Sequence, residues 1–294
     1  MTLGGGYGWL SGQYGLTVDI LVSAKLVLAD GSLVTASETE NADLFWAIRG
    51  CGSAFGVAVE FTFQGFEQGP VFAGLLIFTP DKLAEVVKFA NEFEEINDGK
   101  QGLTIGFTIP PPVGAPVVIT VLFFNGPEEE AKTFFGDLFA LEPVVNGTSI
   151  MPYEKLNSIL NDAGAFGGRK SGGASAVKLP LDPAWMQEIW NDFFGFVQAQ
   201  EGASESIILF ELLPYKKIVQ KPQDATAHAN RGTYYNVGTV FKWYKPELDN
   251  ALRAYSRKLH TKIREEGGTS VLKGVGAYSN YVGKSEPSIL QMSY

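Results

Sequence analysis

The chain predicts an α+β fold in which an antiparallel sheet is covered on one face by helices and is preceded by a shorter, glycine-dense half. Three observations carry this expectation. Apolar residues recur every second position in short runs and at helical spacing in longer ones. Prolines and glycines punctuate the joins between those runs. The texture then changes across residues 65–69, from short glycine-rich elements to longer, regular ones.

In the first half, Val22, Ala24, Leu26 and Leu28 alternate with their neighbours, Asp30-Gly31 makes a tight turn, and Leu33-Val34-Thr35 returns. This pattern is a β-hairpin with favoured turn chemistry. Asn41 is placed to cap a short helix over 43–49, with Leu44, Phe45 and Ile48 on its buried face and Gly50 ending it. Residues 56–63 read as a further strand. In the second half, 71–79 is an apolar strand. Residues 81–96 set Leu83, Val86, Val87, Ala90 and Phe93 at helical spacing. Strands follow near 103–109 and 117–124, and Pro127 opens another helix. A helix over 183–199, strands near 206–213 and 234–243, and a last helix over 246–265 complete the series. Gly164–Gly173 is expected to be a flexible loop.

Composition excludes several classes of function. With 294 residues, 45% of them hydrophobic and 19% charged, the chain has ample material for a core and is not of a disordered type. A net charge of −9 argues against nucleic-acid binding, which needs clustered Lys and Arg. No run approaches the roughly 18 apolar residues of a membrane-spanning helix. One cysteine, Cys51, and two histidines, His228 and His260, leave no disulfide framework and no metal-ligand spacing.

Two glycine-rich loops can carry chemistry. The first, Gly4-Gly5-Gly6-Tyr7-Gly8-Trp9-Leu10, continues through Gly15, Leu16 and Asp19. Backbone without Cβ atoms can lie against a flat ring or a pyrophosphate and turn N–H groups toward it, or it can simply form a tight turn. The second, Arg49-Gly50-Cys51-Gly52-Ser53-Ala54-Phe55-Gly56-Val57, joins a helix end to a strand start. It fits a phosphate cradle or an ordinary connection. Cys51 fits a small filler better than a nucleophile, because no histidine or basic cluster lies near it in sequence.

Taken together, GGGYGWLSGQYGLTVD, VLADGSLVTASETENADLFWAIRG and GSAFGVAVEFTF closely resemble the FAD-binding domain of the vanillyl-alcohol-oxidase superfamily (the PCMH type). Within it, the likeness is to the berberine-bridge-enzyme-like oxidases of fungal type, and it runs without a gap over residues 4–63. The resemblance implies the second half of a PCMH-type domain over 1–68, a substrate domain over 69–268, and a segment over 269–294 that returns to the flavin. It implies FAD as cofactor, with Gly4, Gly5, Gly6, Gly8 and Leu10 beside flavin and pyrophosphate, together with Gly15, Leu16 and Asp19. Gly50, Gly52, Phe55, Gly56 and Val57 would line the adenine-to-pyrophosphate part.

Two further stretches are similar to family motifs. His228-Ala229-Asn230-Arg231-Gly232-Thr233-Tyr234-Tyr235-Asn236 resembles the strand these oxidases turn toward the flavin. His228 is there either a proton carrier near neutrality or a hydrogen-bonded strand-edge residue. Tyr278-Ser279-Asn280-Tyr281 matches the Tyr-x-Asn-Tyr signature near the family's C-terminus. By resemblance Tyr278 is the candidate base and Asn280 a cofactor contact, with aromatic packing as the other reading. An ordinary tyrosine, with a pKa of about 10, needs help to act as a base at pH 7.

The implied activity is transfer of a hydride from an alcohol, sugar or secondary-metabolite substrate to flavin N5, with O2 as acceptor. The alternative is a non-catalytic remnant that does not hold FAD. Met1-Thr2-Leu3 runs straight into the triple glycine, which reads as a chain opening inside a loop, truncated at the N-terminus. The family's attachment histidine and cysteine would lie before that point, so this chain is expected to bind FAD weakly or not at all. Small-molecule substrate and O2 are the expected partners. Substrate identity, oligomeric state and localisation are not legible.

Overall fold

A computed structural model describes residues 1–111, 113–161 and 166–269, with Tyr278, Asn280 and Tyr281. Most of the expected 269–294 segment, and part of the Gly164–Gly173 stretch, lie outside the described residues.

The glycine-dense half opens with turns and the one-turn helix α1 (Ser11–Tyr14), then builds a three-stranded antiparallel sheet, ordered β2-β1-β3. β1 (Leu21–Val27) and β2 (Leu33–Ser37) form the expected hairpin, and β3 (Val57–Phe63) pairs on the other side of β1. α2 (Ala42–Cys51) packs Phe45 and Ile48 onto Leu21, Ala24 and Leu26. Asn41 does not cap α2 with its side chain. It takes a left-handed conformation and donates its amide to the Thr35 carbonyl, which ties the helix start to β2. On the edge strand β3, Val57, Val59, Phe61 and Phe63 are exposed.

The second half is an eight-stranded antiparallel sheet, ordered β7-β4-β6-β5-β10-β11-β9 with β8 also on β4. Its strands are β4 (Val71–Phe78), β5 (Gln101–Thr108), β6 (Val117–Phe124), β7 (Val145–Asn146), β8 (Ser149–Met151), β9 (Arg169–Val177), β10 (Ile207–Leu212) and β11 (Tyr235–Trp243). Helices α3 (Leu83–Ile96), α4 (Glu128–Phe134), α5 (Gly136–Ala140), α6 (Pro183–Ala199) and α7 (Asp249–Glu266) complete it. α3 buries the stripe read from sequence, and α6 and α7 likewise bury one face each, against Phe72, Leu103, Phe107, Phe210 and Phe241 of one sheet face. The long helix expected after Pro127 is broken at Phe135, where α4 gives way to α5.

The stretch expected as a flexible Gly164–Gly173 loop is instead β9 from Arg169 onward, paired along its length with β11. Its glycines answer to packing. A Cβ on Gly173 would stand 1.7 Å from the His260 ring of α7, and one on Gly172 would meet the Tyr281 carbonyl oxygen at 3.5 Å.

The strands alternate cleanly only on the helix side. On β10, Ile208, Phe210 and Leu212 face the helices, which leaves Leu209 and Glu211 on the opposite face. At one end that face carries a small apolar cluster of Ile77, Val117, Ile119 and Ile207. At the other end the glycine-dense half closes over it, and the site lies in this junction.

The junction is bonded. Trp46 Nε1 donates to the Asp224 carbonyl at 2.8 Å, and Ala227 N–H donates to the Trp46 carbonyl at 3.2 Å. Gly50 sits at φ 156° with its Cα hydrogen turned into main chain; a Cβ there would lie 2.2 Å from His228 N and 2.3 Å from Ala227 C. Backbone on both sides leaves no side chain to yield. Gly50→Ala is therefore expected to cost about 2–4 kcal/mol, read as a lowered midpoint in urea unfolding.

Candidate functional site

The glycine turn is positioned from two directions. Thr17 N–H and Oγ1 both donate to the Gly6 carbonyl at 2.9 Å, and Val18 N–H donates to the Gly5 carbonyl at 3.0 Å. Gly6 has φ 79°, and a Cβ on it would collide with Thr17 at 2.3 Å, so glycine is required there. Tyr7 N–H donates to the Tyr278 hydroxyl at 3.0 Å, and Asn280 Nδ2 donates to the same oxygen at 2.6 Å. Tyr278 and Asn280 thus reach the start of the glycine turn.

Beside this turn lies a cavity of about 640 Å³. Gly6, Gly8, Leu10, Gly15 and Trp9 form one wall. Thr104, Val121, Glu211 and Leu213 form the sheet floor, Tyr153–Leu160 forms a second wall, and Tyr281 reaches in from the returning segment. Its size falls in the range of small-molecule sites, about 300–1,000 Å³.

Glu211 is the charged group of this floor. The residue is half-buried, and loss of hydration around its carboxyl raises its pKa from the ordinary 4.5 to about 7. Tyr281 Oη donates to it, 3.1 Å from both Oε1 and Oε2, a bond that favours the carboxylate and offsets part of the rise. Burial and the Glu211 charge push the Tyr281 phenol well above its ordinary value. Tyr7 Oη donates to the Glu211 carbonyl at 3.1 Å, and burial likewise holds it protonated. The arrangement is a half-buried carboxylate with one phenol bridging it to the cavity.

The structure divides the residues expected from sequence. Gly6, Gly8, Leu10 and Gly15 line the cavity. Gly4 lies against the Asn280 side chain and Gly5 against the His228 ring, so both support the turn from behind. Leu16 is buried on a small void of about 20 Å³ behind it. Asp19 does not face the cavity. Both its oxygens are held by Arg231, at 2.6 and 3.0 Å, and Leu16 N–H donates to one of them. Gly50, Gly52, Phe55, Gly56 and Val57 lie away from it, with Gly52 against Leu3 and with Phe55 and Val57 exposed.

Two catalytic expectations change. His228 lines the small void, not the cavity, and burial together with the nearby Arg231 charge lowers its pKa to about 4. It is neutral at pH 7 and does not fit a proton carrier there. Tyr278 is buried, and its oxygen already accepts from Tyr7 and Asn280, which makes it the fastening of the returning segment. The tyrosine that meets the cavity is Tyr281. The sequence reading missed Glu211. Its signal was an acidic residue inside the apolar run IILFELL.

The donors present fit one side of a flavin. Bare backbone at Gly6 and Gly8 offers a flat wall, and a Cβ on Gly8 would meet nothing within 4 Å, leaving room for a ring. Neither histidine and not Cys51 lies on the cavity, so none of them is placed to tether a ring there.

No family model matches the chain. Among curated proteins it is 34% identical over 282 residues to the FAD-linked oxidoreductase pgmH of Aspergillus terreus, covering 90% of this chain and 55% of that protein. It is 31% identical to the FAD-linked oxidoreductase OXR1 of Pyricularia oryzae, covering 95% and 56%. The chain thus spans about half the length of the curated relatives it matches. Among solved structures, the xylooligosaccharide oxidase of Myceliophthora thermophila superposes with a TM-score of 0.74 at 23% identity, over 97% of this chain and 62% of the other. The berberine-bridge-like protein 1 of Physcomitrella patens gives 0.76 at 21%, again over 97% and 62%.

The class is therefore the α+β fold of the berberine-bridge-like, PCMH-type oxidases. The chain belongs to the family of the FAD-linked oxidoreductases, whose cofactor is FAD.

Proposed function

We propose that this chain supplies the substrate side and one wall of the flavin site of an FAD-dependent oxidase, with Glu211 and Tyr281 taking the proton of a substrate hydroxyl. The observation that carries the reading is the Tyr281–Glu211 pair at the floor of a cavity walled by bare glycine backbone. FAD, when bound, would supply the acceptor for a hydride from the substrate.

The chain's own residues handle the proton. A substrate hydroxyl donating to Tyr281 Oη gives up its proton there, while the Tyr281 proton moves to a Glu211 carboxylate oxygen. The phenol itself is too reluctant to ionise to serve alone, since burial and the Glu211 charge both oppose its anion. Linked to a carboxylate that titrates near 7, it acts as a relay. Tyr278 and Asn280 keep the glycine turn and Tyr281 in register. Gly6, Gly8 and Leu10 would hold the ring, and Asp19 and Arg231 brace the wall from inside.

Titration of FAD into the purified chain, read by quenching of flavin fluorescence, tests the cofactor assignment. Weak, reversible binding is expected, and Gly8→Val should weaken it at least about tenfold while leaving the unfolding midpoint unchanged, because the added side chain enters open space. Binding unaffected by Gly8→Val would place the flavin elsewhere. In FAD-loaded protein, Tyr281→Phe is expected to slow anaerobic flavin reduction by an alcohol about a hundredfold, and Tyr278→Phe by far less. The reverse order would return the role to Tyr278.

A further inference from the structure

Behind the glycine turn, polar groups from three parts of the chain converge on the small void. Asn236 of β11 lines it and stands across the strand pair from Glu211 of β10. Its side chain lies beside the Tyr7 hydroxyl and favours the Tyr7 anion, so the amide nitrogen is the end turned that way. The Tyr7 hydrogen goes to the Glu211 carbonyl, which requires the same orientation, since Tyr7 Oη can then only accept from the amide. Asn236 Oδ1 is left, buried and without a hydrogen-bond partner among the described residues. A buried amide oxygen has given up its hydration and needs a donor in its place.

Tyr278, also on the void, has the complementary need. Its oxygen accepts from Tyr7 N–H and from Asn280 Nδ2, so its own hydrogen is left to be donated, and none of the described residues accepts it. His228 is the third group. The neutral imidazole gives its one N–H to the Asn230 main chain, and its second nitrogen keeps a lone pair that can accept. Two acceptors and one donor thus border a void of about 20 Å³, where one water needs about 10–15 Å³ and roughly two to four polar partners. Water donates two hydrogens and accepts as well, which matches the set. An ammonium ion only donates and would leave the Tyr278 hydrogen without an acceptor.

We propose that the void is a binding site for one ordered water, which accepts from the Tyr278 hydroxyl and donates to Asn236 Oδ1 and to the second His228 nitrogen. The water joins Tyr278, β11 and the 226–231 loop at the back of the glycine turn. It holds the Tyr278 hydrogen behind that turn, away from the cavity, and makes His228 a positioning residue that serves as a neutral acceptor. None of this rests on the oxidase reading, and it is measured without FAD or substrate.

The test is a crystal structure of the full chain at a resolution that shows ordered water. One density peak within hydrogen-bond distance of Asn236 Oδ1, a His228 ring nitrogen and Tyr278 Oη is expected. In solution, oxygen-17 relaxation dispersion counts waters held inside the protein. Asn236→Leu should hold one fewer than wild type, whereas Asn236→Asp, which keeps the acceptor, should hold the same number. Circular dichroism and the unfolding midpoint show whether Asn236→Leu is folded; if it is not, the wild-type crystal decides alone. No peak in the void, a peak that reaches fewer than the three atoms, or a Tyr278 hydroxyl donating directly to a protein acceptor would overturn the proposal. So would an unchanged water count in folded Asn236→Leu.

Discussion

In FAD-loaded protein, Glu211→Gln is expected to lower kcat/KM by about 10²- to 10⁴-fold, the range over which a positioned acid or base contributes. The amide keeps the shape and still accepts from Tyr281, but it cannot take the proton. The pH profile separates this from a packing defect. Wild-type activity should rise through about pH 7, as the half-buried carboxyl ionises, and the Gln variant should lose that limb. The same residue carries an opposite effect on stability. Burial raises the folded pKa from 4.5 to about 7, so the fold favours the protonated acid. Its contribution is full below pH 4.5 and is lost as pH climbs to about 7, a shift corresponding to about 3 kcal/mol. Glu211→Gln should therefore unfold at higher temperature than wild type at pH 8, and the gap should close near pH 4.5. A variant that is less active and more stable is the mark of a carboxylate held for function.

Arg231→Met is expected to destabilise the chain by about 3–5 kcal/mol, because it strands the Asp19 carboxylate in the interior. The pair is among the most enclosed in the molecule, with side chains 1% and 4% exposed and a bidentate contact at 2.6 and 3.0 Å. Arg231 also donates to Thr226 Oγ1 at 3.2 Å, while Asp19 accepts from Leu16 N–H. The ion pair thus fastens the segment behind the glycine turn to the 226–231 loop of the other half. Asp19→Asn should cost a comparable amount. Asp19→Asn combined with Arg231→Met should cost clearly less than the sum, since no charge is then left alone. Urea unfolding of the four proteins as a double-mutant cycle measures this. Additive losses would mean that the two charges are solvated independently and that the junction is held by something else.

Much of the architecture was legible because periodicity is a local property. α6 runs over the expected 183–199, and β6 over the expected 117–124. What periodicity does not report was missed. β7 and β8 are too short to show alternation, and β9 is a glycine- and serine-rich strand whose small residues answer to His260 and Tyr281, far away in sequence. The glycine turn was legible through resemblance. Which tyrosine looks into the cavity was not. That depends on the turn in which Tyr281 N–H donates to the Tyr278 carbonyl at 2.9 Å, and no spacing rule orients it. Asp19 and His228 were read as functional through the resemblance. The fold uses one as half of a buried ion pair and keeps the other neutral against Gly5.

The Glu211 carboxyl, half-buried and bonded to Tyr281, carries the proposed chemistry, and carbon-13 NMR of the carboxyl-labelled chain measures its titration without cofactor or substrate. One glutamate signal, absent from Glu211→Gln, should titrate with a midpoint near 7, and Tyr281→Phe should move that midpoint upward by removing the bond that favours the carboxylate. A Glu211 signal titrating near 4.5, unmoved by Tyr281→Phe, would contradict it.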